Sequence, residues 1–115
     1  MKKAGMDRGL TGEEKRALIQ IARESIEAEL EGKAPPGSAG KGALEEKRGA
    51  FVSLKKRERL RGCIGFIEPR KSLAKTVEET AAAAAFQDPR FPPLRKEELQ
   101  ELKVEVSVLT PLRRV

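Results

Sequence analysis

Leu18, Ile21, Ala22, Ile26 and Leu30 recur at three-to-four spacing, with Ser25 on the same stripe and Glu and Arg between them. That period predicts a helix over about 12–31 with one buried face. Ahead of it, Thr11-Gly12-Glu13-Glu14 has the form of a capping box. The Thr11 hydroxyl can accept from the Glu14 backbone N–H while the Glu14 carboxylate reaches back to the cap. Residues 32–48 then mix Gly, Pro, Ser and Ala around one large apolar residue, Leu44. Prolines and glycines deny this stretch helix and strand alike, so it is expected to be a long, flexible loop.

After the loop the period shortens. Gly49–Leu54 reads as a strand by residue type, and a second apolar run spans Leu60–Ile67 until Pro69 ends it. Two such runs joined by a short polar link predict an antiparallel hairpin with Lys55–Arg59 at its tip. Ser72 is placed to cap a second helix running to about Phe86, and Ala81–Ala85 are strong helix formers. Asp88-Pro89-Arg90-Phe91-Pro92-Pro93-Leu94 cannot be helical, because each proline restricts the residue before it. A short helix over about Lys96–Glu101 leads to a last strand, where Val104, Val106 and Val108 alternate with Lys103, Glu105 and Ser107. The order αββααβ predicts an α+β fold, a mostly antiparallel sheet with helices packed on one face.

Composition sharpens this picture. The 115 residues suffice for one domain or a part of one. Charged residues make up 37%, well above the usual value of roughly 25%. Both signs are interspersed, as in a solvated shell. Abundant Glu, Lys and Arg without Trp or Tyr resembles a heat-adapted composition. From Lys47 to Arg61 seven basic residues face Glu58 alone, a surplus equal to the whole net charge of +6. No histidine is present and Cys63 is the one cysteine. A Ser-His-Asp triad, a Cys-His dyad, an imidazole metal site, an intrachain disulfide and a CxxC motif are therefore excluded within these residues, and neither metal nor cofactor is expected. MKKAGMDRGL lacks an apolar signal core and no run approaches a membrane span, so a cytoplasmic protein is expected.

Strict alternation in the second strand puts Leu60, Gly62, Ile64 and Phe66 on one face and Arg61, Cys63 and Gly65 on the other. The first set is expected against the helices. The second sets a guanidinium, a thiol and a bare backbone patch side by side. A nearby cation raises the thiolate fraction of a cysteine, and Gly65 leaves the approach to sulfur open. Cys63 is thus a candidate catalytic group and Arg61 a candidate anion holder. Against this, free cysteines are usually small buried hydrophobes, and an activated cysteine generally has a base beside it; this plainer reading carries more weight. Asp88, Arg90 and Phe91 can line a cleft edge, although an ion pair fixing the loop is the plainer account. Lys55, Lys56, Arg57 and Arg59 can meet phosphates or an acidic partner. With only four aromatic residues, all Phe, a stacking platform for nucleic acid is lacking. A charged hairpin tip more often only protects a sheet from edge pairing. Neither GCIG nor Gly37–Gly42 matches a phosphate-loop pattern.

GAFVSLKK, LRGCIGFIEP, SLAKTVEETAAAAAFQDPRFPPL and EELQELKVEVSVLTP together resemble the AMMECR-type domain family, whose prokaryotic members include protein A of the AmmeMemoRadiSam system. The resemblance spans about residues 10–111. It implies a two-part α+β protein in which the RGCIG strand lines a cleft between a larger and a smaller subdomain. Arg61, Gly62, Cys63, Ile64 and Gly65 match its first signature; Asp88, Pro89, Arg90 and Phe91 match its second. The resemblance also implies a link to Memo-like and radical-SAM proteins in a modification pathway. Similar domains continue for several dozen residues past VSVLTP, including a histidine. Residues 1–115 are therefore expected to form a single partial domain, C-terminally truncated, with an incomplete second subdomain and a tendency to self-associate through uncovered sheet edge.

Overall fold

The computed structural model describes residues 10–35 and 42–109, and in them each change of hydrophobic period becomes an element. Helix α1 covers Gly12–Leu30, strands β1 and β2 cover Ala50–Lys56 and Arg59–Phe66, helix α2 covers Leu73–Phe86 and strand β3 covers Leu102–Val108. Both halves of the capping box form: the Glu14 N–H donates to Thr11 Oγ1 and the Thr11 N–H to Glu14 Oε1, each at 3.0 Å. Ser72 Oγ accepts from the Lys75 N–H at the start of α2. Two details differ from expectation. Gly42–Glu45 form a short 3-10 turn that buries Leu44, because one apolar side chain in a polar loop still gains by reaching the core. Lys96–Glu101 is likewise 3-10 rather than α, six residues being too few to favour regular α-helical bonding. Residues 36–41 of the expected 32–48 loop lie outside the described residues.

The sheet is antiparallel throughout in the order β2-β1-β3. Ala50, Val52 and Leu54 of β1, with Leu102, Val104 and Val108 of β3, meet Leu18, Ala22 and Ile26 of α1 and Leu73, Val77, Ala81 and Ala84 of α2 in one core. Burial of each large side chain there contributes about 1.5–3 kcal/mol. The alanine-rich stretch lets α2 lie close to β2. A Cβ on Gly62 would run into the Ala84 carbonyl oxygen, so only glycine fits that contact. Both helices occupy one face of the sheet, as the order of elements predicts.

The hairpin is tighter than its five-residue basic tip implies. The turn is Arg57 and Glu58 alone, both in the left-handed region at φ 52° and 68°. A two-residue turn demands this twist, normally supplied by Asn-Gly.

Candidate functional site: the open face of the hairpin

Register decides what surrounds Cys63. Ser53 pairs with Cys63 and Leu54 with Gly62, but Lys55 pairs with Leu60, so Arg61 is an extra residue in β2. Such a bulge re-aims the side chains on either side of it. It corrects the strict alternation expected of β2. Leu60 shares the face of Lys55 rather than that of Gly62 and is 41% exposed. Phe66, opposite Ala50, lies on the helix side but at the sheet margin, where it is 40% exposed.

Arg61 is not anchored at the sulfur. Its Nε and Nη2 donate to Glu98 Oε1 and Oε2 at 2.8 and 3.1 Å, and its guanidinium carbon lies 5.9 Å from the centre of the Phe91 ring. The Arg61 hydrogen bonds hold the Glu98 carboxyl down at about 2, with the Arg95 backbone N–H and Lys56 adding to the effect against the opposing cost of burial. The partner of Cys63 is instead Ser53, with Oγ and Sγ 3.3 Å apart and either able to donate. Across β1, Ser53 faces Glu105 of β3, and Lys55 Nζ sits 3.5 Å from Glu105 Oε1. A thiol, a hydroxyl and a carboxylate therefore form one row on the face away from the helices. Ser53 and Glu105 carry no motif; their signal is the polar position in each strand that register brings opposite the cysteine.

The second signature closes the outer edge of β2 beside this row. Asp88, only 4% exposed, accepts from the Cys63 N–H at 3.0 Å through Oδ2. Arg90 grips both Asp88 oxygens, Nε to Oδ1 at 3.0 Å and Nη2 to Oδ2 at 2.8 Å. Its Nη2 also points at the Cys63 carbonyl at 3.5 Å. The Arg90 hydrogen bonds, aided by the backbone N–H groups of Arg90 and Cys63, hold the Asp88 carboxyl far below the usual carboxylate range despite burial. Asp88 in turn raises Arg90 by hydrogen bonding and opposite charge, against the cost of burial. Arg90, not Arg61, is thus the cation that reaches the backbone of Cys63. The Arg90 guanidinium carbon is also close to the Phe91 ring, 5.4 Å from its centre.

The remaining candidates fall into two places. Ile64 packs against the core and also lines a shallow groove of about 240 Å³ with Phe66, Thr76 and Thr80, between β2 and α2. Gly65 is covered by the Phe51 ring, which occupies the space a Cβ would need. Of the basic tip, Lys55 pairs with Glu105, Lys56 with Glu98 and Arg57 with Glu101, whereas Arg59 is exposed. Among the described residues no group of three His, Cys, Asp or Glu side chains is placed to hold a metal ion. Nor is any helix there long and apolar enough to cross a membrane.

A three-stranded sheet backed by two helices, with a cysteine-bearing strand clipped at its edge by an Asp-Pro-Arg loop, defines a class of small α+β domain. This chain belongs to the AMMECR1 family, whose model matches residues 19–115. Protein MK0488 of Methanopyrus kandleri is 48% identical over 114 residues, 96% of this chain and 55% of that protein. A protein of Methanothermobacter thermautotrophicus is 46% identical over 106 residues, 89% of this chain and 54% of the relative. The crystal structure of uncharacterized protein PH0010 from Pyrococcus horikoshii superposes with a TM-score of 0.77 at 42% identity, covering 84% of this chain and 51% of that one. The chain spans about half the length of the relatives it matches.

Proposed function

We propose that the chain supplies one wall of a ligand cleft, with Cys63 as the reactive or ligand-contacting group on it. The single observation that carries this reading is the Ser53–Cys63 pair on the helix-free face of the sheet. When a thiolate forms there, the Ser53 hydroxyl can donate to it, and Arg90, at the Cys63 carbonyl, supplies positive charge at the adjoining edge. Glu105 in the same row is a candidate proton acceptor. The activity class that fits is thiol-based, serving as an accessory or catalytic component of a modification pathway. The family resemblance alone supports Memo-like and radical-SAM proteins as partners. A single cysteine suits the reducing cytoplasm, where we place the protein.

Reaction of the folded chain with a disulfide reagent tests this. Cys63 should react in the native state at a rate at or above that of a small free thiol, and Cys63→Ser should abolish the signal. A sulfur that reacts only after denaturation overturns the reading. The rival, a non-enzymatic module that binds nucleic acid or an acidic partner through the hairpin, is weakened because Lys55 is drawn to Glu105, away from the other cations of the tip.

A further inference from the structure

We infer that the hairpin end carries a separate anion site, built for one phosphoryl group of a small phosphate monoester. An open depression of about 430 Å³ there is lined by Lys56, Arg57, Arg59, Leu60 and Arg61, with no acidic residue in its wall. The counter-charges come from the neighbouring 3-10 turn. Glu98 is shared by Arg61 and Lys56, and Glu101 is taken by Arg57. Four cations against two carboxylates leave a surplus of two on the lining, which the exposed Glu58 of the turn lowers to one for the wider region.

Three further features converge on this end of the sheet. The bulge removes Arg61 from regular pairing, as bulges commonly do where a side chain must be aimed at a site. The Arg61 side chain is only 11% exposed, yet its Nη1 is buried without a hydrogen-bond partner. A buried donor left unmade is a standing cost, and it falls on a side chain that lines the depression. The tight turn at Arg57 and Glu58 sets Lys56 directly opposite Arg59, so two of the lining cations face one another across the hairpin. Leu60, exposed beside the cations, offers an apolar contact for the organic part of the ligand. A nucleic-acid track fits less well. Lys55 is drawn away to Glu105 on the open face, so the positive charge forms one concave spot rather than a path along a backbone.

This inference is independent of any role for Cys63. The test is titration of the chain with inorganic phosphate at constant ionic strength, followed by backbone amide shifts, with chloride as the control. Phosphate should saturate with shifts concentrated at residues 56–61. Arg59→Gln should weaken binding by about tenfold, the loss expected of one charge-assisted contact. Arg16→Gln, an equal charge change at an exposed α1 residue that does not line the depression, should leave it within about twofold, since salt screens exposed charges that make no contact. Arg61→Lys should also weaken it; because Glu98 depends on Arg61, the decisive variant is Arg59→Gln. A response that is linear like that of chloride, or equal loss in Arg59→Gln and Arg16→Gln, overturns the site. A single-stranded oligonucleotide that binds far tighter than phosphate, with a steep salt dependence, overturns the small-ligand assignment in favour of nucleic acid.

Discussion

The Asp88 carboxylate receives the Cys63 backbone N–H at 3.0 Å, across twenty-five positions of sequence. The two family signatures are therefore one structural unit. β2 is an edge strand, and at Cys63 its outward N–H and C=O meet Asp88 and Arg90 instead of a fourth strand. An exposed strand edge invites pairing with other chains, and covering it with a loop is one of the ways proteins blunt it.

Asp88→Ala is expected to leave that N–H and the Arg90 guanidinium without their shared acceptor, lowering the thermal midpoint more than Arg90→Ala does. The reason is that Asp88 is buried whereas the Arg90 side chain is 57% exposed. Melting curves of both variants beside the parent check the ranking; an Asp88→Ala midpoint equal to that of the parent would show that the clip carries no stability.

Gly62 and Gly65 are two residues of one strand whose substitution should cost very different amounts. Gly62→Ala meets backbone of α2, which cannot give way without moving the helix, so a loss of about 3 kcal/mol is expected. Gly65→Ala meets only the Phe51 ring, a side chain that can swing outward, and about 1 kcal/mol is expected. Urea unfolding of both variants measures the difference, which should appear in the midpoint rather than the slope.

Acid should reveal Glu98. Its folded carboxyl is held at about 2, below the ordinary 4.5, so ionised Glu98 stabilises the fold above about pH 4.5 and that contribution is lost as pH falls through about 2. Asp88 shifts in the same direction and steepens the same limb. Stability measured from pH 6 downward should drop in this window, and Glu98→Gln should be less stable at pH 6 yet show a flatter acid limb. A variant curve parallel to that of the parent would count against the Arg61–Glu98 account.

Ser53→Ala should slow reaction of Cys63 with a disulfide reagent by about three- to tenfold at neutral pH, since the thiolate loses its donor. The fold should be little affected, because Ser53 lies on the face without helices. An unchanged or faster rate would mean that the hydroxyl does not support the sulfur.

The elements themselves were legible in the chain. A capping box, a helical stripe, two apolar runs, a capped alanine helix and an alternating last strand each announce themselves locally, because capping and hydrophobic period are short-range physics. The signatures LRGCIG and DPRFPPL were legible too, but not their contact, nor the Ser53–Cys63–Glu105 row, since these join residues far apart in sequence. Alternation alone also failed at Arg61. A regular two-residue hairpin would place Cys63 opposite Val52, in the core; the one extra residue places it opposite Ser53, on the open face. Side chains alternate with period two, so a slip of a single residue exchanges the two faces. The sequence by itself therefore determined which segments are helix and strand and which side of the first helix is buried. Only the tertiary structure decided where the thiol points and which cation lies at its strand edge, because register is set by the close approach of Gly62 to α2 and by the partners that Asp88 and Glu98 find across the fold.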